Sequence, residues 1–469
     1  MATGNSTDRP DAQPAAEQGS LGYVLLLTGV AALGGLLFGY DTAVIAGAID
    51  YLTEHFGLDQ WQKGFAVSNV LIGCMFGAAM AGTLGDRFGR RRGLQLSAVL
   101  FLVSAVGCVF PRSLAELVAA RFVGGLGVGM ASLLSPLYIA EVAPARIRGR
   151  LVSLNQITII SGMVVVSVVN WWIAAGADER WNVATGWRWM FGSEIAPAAL
   201  FLALLLLVPE SPRWLTQRGR ADEAFAVLAR VGGRAEAAAQ MIEIRRAIAE
   251  EAGRFSDLFR GGVRKALGIA VALAVLQQVT GVNAILYYAP SIFKKSGAEV
   301  DPVDALLQTV ALQVVNLLMT LVSIWLVDRL GRKPLLMAAS AAMGVSLALL
   351  GLAFQRQWTP GWIFALSLAY IGAFAVAMGP VVWVVLSEIF PTRTRGRAMA
   401  VATVALWIAC FAVSQTVPWM MDDRHWGEPA TFWTYAVMCV VALVLVAWAV
   451  PETKGKTLEQ IEREWFGGA

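Results

Sequence analysis

The chain has 469 residues, 57% hydrophobic and only 15% charged, against about 25% charged in an ordinary soluble domain. That balance, with its positive mean hydropathy, excludes a soluble globular protein and leaves an integral membrane protein long enough for a many-helix bundle. The net charge of +4 sits in short basic clusters between apolar segments, which excludes nucleic acid as the partner and leaves the lipid bilayer.

In chain order, residues 1–20 are polar and read as a disordered tail. They lack the basic start and short apolar core of a cleaved signal peptide, so the first apolar run is expected to be retained. Twelve apolar segments follow, near 21–49, 64–85, 93–111, 115–140, 150–175, 187–208, 266–290, 303–327, 334–354, 361–387, 397–420 and 431–450. The predicted fold is an all-α membrane protein of 12 transmembrane helices. Residues 21–208 form an N-terminal six-helix bundle and 266–450 a C-terminal one. Residues 209–265 form a polar linker with amphipathic surface helices at Asp222–Val231 and Ala235–Ala252, and 451–469 a short tail.

Basic residues set the orientation. Thirteen arginines and lysines fall in one set of short loops, at Arg87–Arg92, Arg146–Arg150, Arg329–Lys333 and Arg393–Arg397, against eight in the longer alternate loops. The first set is expected to be cytoplasmic, with both termini on that side, in a multi-pass protein of the inner cell membrane. The halves also repeat. Asp86-Arg87-Phe88-Gly89-Arg90-Arg91 returns 242 positions later as Asp328-Arg329-Leu330-Gly331-Arg332-Lys333, and Pro209-Glu210 returns at the same offset as Pro451-Glu452. Glu141-Val142-Ala143-Pro144 returns as Glu388-Ile389-Phe390-Pro391. Each copy falls on the same membrane side, so the repeat is parallel, an arrangement that places substrate near the midplane between the halves.

Asp41 is the only charge between Leu21 and Ile49. A central aspartate costs about 2.5–3.5 kcal/mol on insertion scales, and such residues usually face a cavity on an ion or substrate path. At about 1.5 Å per residue, Asp41 lies in the outer half of its helix, at a depth matching Arg121 in the fourth and Glu194 in the sixth. Burial favours a neutral carboxyl and a nearby guanidinium a charged one. A movable Arg121 is therefore a proton switch; a fixed one is a static ion pair locking two helices.

Polar residues inside the other helices suggest an uncharged, polyhydroxylated ligand. They include Asn155 and Gln156 in the fifth helix, Gln277, Gln278, Asn283, Tyr287 and Tyr288 around Thr280-Gly281 in the seventh, and Asn316 in the eighth. Amides both donate and accept, as hydroxyls do, and Trp383 and Trp407 add flat faces with one donor each. The alternative role for any one amide is glue between helices. At the inner helix ends, Glu141 with Arg148, Glu388 with Arg395, and the Arg91 and Arg332 loops are read as a gate; the plainer reading is positive-inside topology. Cys74, Cys108, Cys410 and Cys439 lie in apolar stretches without paired spacing, so they read as buried hydrophobes rather than disulfides or metal ligands. No nucleophile–base constellation is visible, and no enzyme is expected.

These motifs resemble the sugar porter family of the major facilitator superfamily, within it bacterial D-xylose:proton symporters and related glucose transporters. The resemblance rests on Gly34–Thr42 (GGLLFGYDT), Gly85–Arg92 (GDRFGRRR), Arg121–Arg150, Pro209–Trp214 (PESPRW), Gln277–Pro290 (QQVTGVNAILYYAP), Gly379–Arg397 and Pro451–Thr457. It implies a proton-coupled symporter, monomeric, importing a monosaccharide by alternating access, with the proton as coupling ion and no cofactor or metal. Asp41, Arg121 and Glu194 match the proton-coupling positions. Phe38, Gln156, Gln277, Gln278, Asn283, Tyr287, Asn316, Gly379, Trp383 and Trp407 match the sugar site. Asp86, Arg91, Glu141, Arg148, Glu210, Arg332, Glu388 and Arg395 stand as the cytoplasmic gate. Met163, Leu406 and Cys410 depart from the xylose-symporter pattern and make that part of the pocket less polar. A passive uniporter or an inositol-type polyol porter are the rivals, and a non-transporting sugar sensor lies further off.

Overall fold

The computed structural model describes residues 19–249, 255–259, 261–297, 300–391 and 394–454. The expected terminal tails lie outside these residues apart from 19–20 and 451–454. Among the described residues, twelve helices are long and apolar enough to cross a membrane. In the N-terminal half they are α1 Leu21–Phe56, α2 Gln60–Phe88, α3 Arg90–Val109, α4 Leu114–Val142, α5 Arg148–Ala175 and α6 Glu179–Leu205. In the C-terminal half they are α7 Gly262–Lys295, α8 Pro302–Leu330, α9 Arg332–Gln355, α10 Pro360–Glu388, α11 Arg395–Met420 and α12 Gly427–Ala449. Helix α6 starts well before the expected Trp187, because Asp178 caps it by accepting from the Trp181 N–H at 2.8 Å.

The two six-helix halves meet along α1–α7, α2–α11 and α5–α8. Within the first half, α2 and α4 pack through small residues. A Cβ placed on Gly73 would come within 2.9 Å of the Gly125 Cα, and one on Gly129 within 2.6 Å of the Ala78 N. Lipid gives no hydrophobic drive between helices, so such close backbone contact is what holds them.

The repeated basic motifs each build a helix start. Helix α3 begins after Gly89 (φ +102°), and the Glu210 carboxylate accepts from the Arg91 N–H at 3.0 Å. Helix α9 begins after Gly331 (φ +93°), and Glu452 accepts from the N–H groups of Arg332 at 3.1 Å and Lys333 at 3.0 Å. A carboxylate on free amides at a helix N-terminus is favoured by both hydrogen bonding and the helix dipole. A side chain at Gly331 would need a strained backbone and would meet Glu452 Oε2 at 2.7 Å. Partial burial alone would raise the Glu452 pKa; the backbone N–H groups of Lys454, Arg332, Lys333 and Thr453 outweigh it and hold the carboxyl below the usual value.

Between the halves, helices Pro212–Gln217, Ala221–Gly232 and Arg234–Ala249 close around Trp214, Leu215, Leu228 and Met241. The Trp214 indole donates to the Asp86 carbonyl at 2.9 Å, fixing this linker to the end of α2.

Two spans of the C-terminal half are broken. Helix α7 breaks at Gly281, where a φ of +92° and a Cβ that would stand 2.6 Å from the Tyr435 ring require glycine. Helix α10 carries a π-helical turn over Phe374–Met378 before Gly379-Pro380. The breaks satisfy one another: Tyr370 of α10 donates to the Thr280 carbonyl at 2.9 Å, and Gln277 of α7 donates to the Met378 and Gly379 carbonyls. Backbone freed inside a membrane must find such partners.

Candidate functional site

Asp41 and Arg121 are both fully buried, and one Arg121 Nη1 donates to the Asp41 carboxylate and to its backbone carbonyl, each at 3.2 Å. The rest of both groups is unsatisfied. Asp41 Oδ2, Arg121 Nε and Arg121 Nη2 are buried without a hydrogen-bond partner. Charge-assisted bonds are normally about 2.7–2.9 Å and, between arginine and carboxylate, frequently bidentate. A single long contact is the opposite of a lock.

The Arg121 guanidinium also lies over the Phe191 ring, 5.3 Å from its centroid. Glu194, the third expected member, is buried at the break between Trp187–Gly192 and Ile195–Leu205 of α6. It makes no ion pair with Arg121, and its Oε1 has no partner. Beside it Ser193 bonds the Tyr40 hydroxyl at 2.7 Å, tying α6 to α1 next to Asp41. Gly124 leaves the space in which the Asp41 carboxyl sits, since a Cβ there would stand 3.2 Å from Oδ2 and 2.5 Å from Ser104 Oγ.

The candidate sugar residues gather around the broken helices. Gln277 Nε2 reaches the Met378 and Gly379 carbonyls at 2.6 and 3.1 Å, Gln278 donates to Gln277 at 3.0 Å, and Asn283 donates to Gln278 at 2.6 Å and to Cys410 Sγ at 3.0 Å. Phe38 faces Trp407 across the halves at 6.0 Å. The Trp407 indole N–H is buried without an acceptor. Tyr287 is buried beside Cys410, and Trp383 is partly buried against the same core. Gln156 on α5 is half-buried, and Asn316 on α8 bonds Gln313 at 3.3 Å. Tyr288 points away into protein, its hydroxyl on the Ser414 carbonyl at 2.7 Å.

At the basic face the expected partners are exchanged. Glu141 pairs with Arg90 at 3.0 Å and accepts from Ser211, while Arg148 turns back to the Ala143 carbonyl at 3.5 Å. Glu388 pairs with Arg332 at 3.0 Å and accepts from Thr453 at 2.5 Å, while Arg395 turns to the Phe390 carbonyl at 3.3 Å. The Pro144 carbonyl accepts from the Ile147 N–H at 3.1 Å and the Pro391 carbonyl from the Arg395 N–H at 2.9 Å, so each arginine sits at a turn closed onto a proline carbonyl. Asp86 pairs with Arg90 and Arg91 donates to the Val208 carbonyl. The pairing expected for Glu141 with Arg148 and for Glu388 with Arg395 is thereby corrected. Arg90, Ser211 and Thr453 were missed, though Arg90 and Arg332 occupy matching places in the repeat. Each of these ion pairs joins elements of one half.

The opposite face is joined across the halves. Lys63 of α2 bonds Asp50 of α1 at 2.9 Å and Ser291 of α7 at 3.2 Å, and Ser291 donates to Asp50 at 2.5 Å. Nearby, Ser68 donates to Gln415 of α11 at 2.7 Å, and Gln415 donates to the Trp61 carbonyl at 3.0 Å. A Lys63→Met variant is expected to shift the population about tenfold toward the state open at this face, since a largely buried hydrogen-bonded charge is worth about 1.5–3 kcal/mol. Spin-label distances between the tips of α1 and α7 would report it. An unchanged distance distribution would remove the latch role.

The chain matches the family described as "Sugar (and other) transporter" over residues 27–465. It is 44% identical to the D-xylose-proton symporter of Escherichia coli (strain K12), over 94% of this chain and 96% of that one. It is 41% identical to the arabinose-proton symporter of Bacillus subtilis (strain 168), covering 97% of each. Among solved structures it superposes on the partially occluded inward-open conformation of the E. coli xylose transporter with a TM-score of 0.84 at 42% identity, over 93% of this chain and 100% of that one.

Proposed function

The chain belongs to the sugar porter family of the major facilitator superfamily, and from that premise we propose that it is a proton-coupled symporter importing a monosaccharide, D-xylose or D-glucose, by alternating access. The observation that carries the coupling is the half-made contact between Asp41 and Arg121. A static buried pair repays its desolvation only with good geometry and its remaining hydrogen bonds filled. Here three polar atoms of the pair stay unfilled, so the arrangement suits a group that releases its partner.

In this reading a proton reaching Asp41 from outside neutralises it and frees Arg121. The guanidinium then leans on Phe191 and toward Glu194, α1 and α4 loosen, and the halves rock about the central site. The sugar lies between the halves, among the amides of α7, Gln156, Asn316 and the Trp407, Trp383 and Phe38 rings. With the basic face taken as cytoplasmic, the structure is assigned in this reading to the inward-facing state, sealed outside by Asp50, Lys63 and Ser291, an assignment supported by basic-face ion pairs confined to single halves. Arginine returning to Asp41 expels the proton inward. Each inward proton gains about 2.3 kcal/mol per 100 mV, enough to drive accumulation.

The names of the relatives support a pentose as cargo, and the motif resemblance to glucose transporters supports a hexose. The test is uptake of labelled D-xylose and D-glucose into proteoliposomes with and without an inward proton gradient. Accumulation above the outside concentration only with the gradient is the expected result. Simple equilibration would establish a passive uniporter, and competition by inositol but not by these sugars would establish a polyol porter.

A further inference from the structure

The orientation of an amide side chain is set by its neighbours, and here the neighbours leave no choice. The Met378 and Gly379 carbonyls at the α10 break can only accept. Gln277 Nε2 spends both hydrogens on them, at 2.6 and 3.1 Å, so its Oε1 faces the other way. Gln278 Nε2 meets that oxygen at 3.0 Å, which turns Gln278 Oε1 to Asn283 Nδ2 at 2.6 Å. The second Asn283 hydrogen goes to Cys410 Sγ at 3.0 Å. Reversing any one amide would set two acceptors or two donors against each other.

What remains at the end of this chain is Asn283 Oδ1, an oxygen with no hydrogen to give. One turn before Cys410, the buried Trp407 N–H has no acceptor. The site therefore holds a fixed acceptor and an unpartnered donor.

We propose that the α10 break sets the hydrogen-bond polarity of the binding site through Gln277, Gln278 and Asn283, so that Asn283 reads one ligand hydroxyl as a donor only, with Gln278 as the positioning residue and Cys410 taking the second Asn283 hydrogen. This deepens the sugar reading above and rests on it. A sulfur suits the end position: it is a weak acceptor that holds the amide without competing strongly for the ligand.

Fluorine fills a hydroxyl's place but cannot donate, so deoxyfluoro sugars separate the two directions. The experiment measures competition by D-glucose, D-xylose and their mono-deoxy and mono-deoxyfluoro derivatives on the reconstituted protein. At one ring position both derivatives are expected to lose at least about tenfold, the cost of a buried group left unpaired. The Asn283→Ala variant should abolish the discrimination at that position alone. In Gln278→Leu the oxygen that fixes the Asn283 amide is gone and the amide can turn, so the deoxyfluoro penalty should shrink; Cys410→Ala, which leaves Gln278 Oε1 in place, should retain it. A deoxyfluoro sugar binding like its parent at the Asn283-dependent position would overturn the proposal on the unmodified protein, as would a Gln278→Leu variant with the full penalty. If neither parent sugar competes, the sugar reading itself fails, a result distinct from either.

Discussion

An Asp41→Asn variant is expected to lose proton-driven accumulation entirely while still exchanging labelled for unlabelled sugar. Asparagine keeps the shape and one oxygen toward Arg121 but carries no charge, so it resembles the protonated aspartate held through the whole cycle. Two accounts of the 3.2 Å contact separate here. Were it a structural lock, removing one partner would leave an uncompensated buried charge at about 3–5 kcal/mol, and exchange and folding would fall together. As a switch, the protein already visits the neutral state each turn, with Phe191 and buried Glu194 beside Arg121, and only coupling is lost. Counterflow and gradient-driven uptake in the same proteoliposomes, with the unfolding temperature of the purified variant, decide it. Gradient-driven accumulation as in the parent protein would refute the assignment of Asp41.

The architecture was legible in the chain for a simple reason. A twelve-fold alternation of apolar runs and charged loops is written one residue at a time, and the parallel repeat shows in its loops. The burial of Asp41 with Arg121 followed from depth alone, because two charges at one level in adjacent helices have few other places to go. Loop geometry was not legible. Glu141 has two arginines near it in sequence or space, and choosing Arg90 over Arg148 depends on how Pro144 folds the turn. The Asp50–Lys63–Ser291 latch was hidden because Ser291 lies 241 positions from Asp50 and is an ordinary residue in an ordinary helix. The amides of α7 were visible as polar residues in an apolar run. Their direction was not, since it is imposed by the backbone of α10, about a hundred residues further on.

Helix α4 holds Arg121 at the right place only because α2 lets it come close, and that closeness is testable with one methyl group. Gly125→Ala and Gly82→Ala are the same chemical change on packed helices. At Gly82 nothing lies within 4 Å of the new Cβ, so the variant should be as stable as the parent or slightly more so, given alanine's better helix propensity. At Gly125 the methyl would overlap the Val70 carbonyl oxygen and stand 2.9 Å from the Gly73 Cα. Backbone atoms cannot step aside as a side-chain tip can, so the helices must part. The cost is expected at the upper end of the about 1–3 kcal/mol typical of overpacking. Arg121 lies one turn from Gly125, so parting α2 from α4 shifts the guanidinium relative to Asp41, and a displacement of about 1 Å can cost on the order of a hundredfold where geometry matters. Gly125→Ala should therefore lower the unfolding temperature and suppress coupled uptake more than exchange, while Gly82→Ala does neither. Equal stability and transport in the two variants would mean that α4 is held by something other than its glycine face.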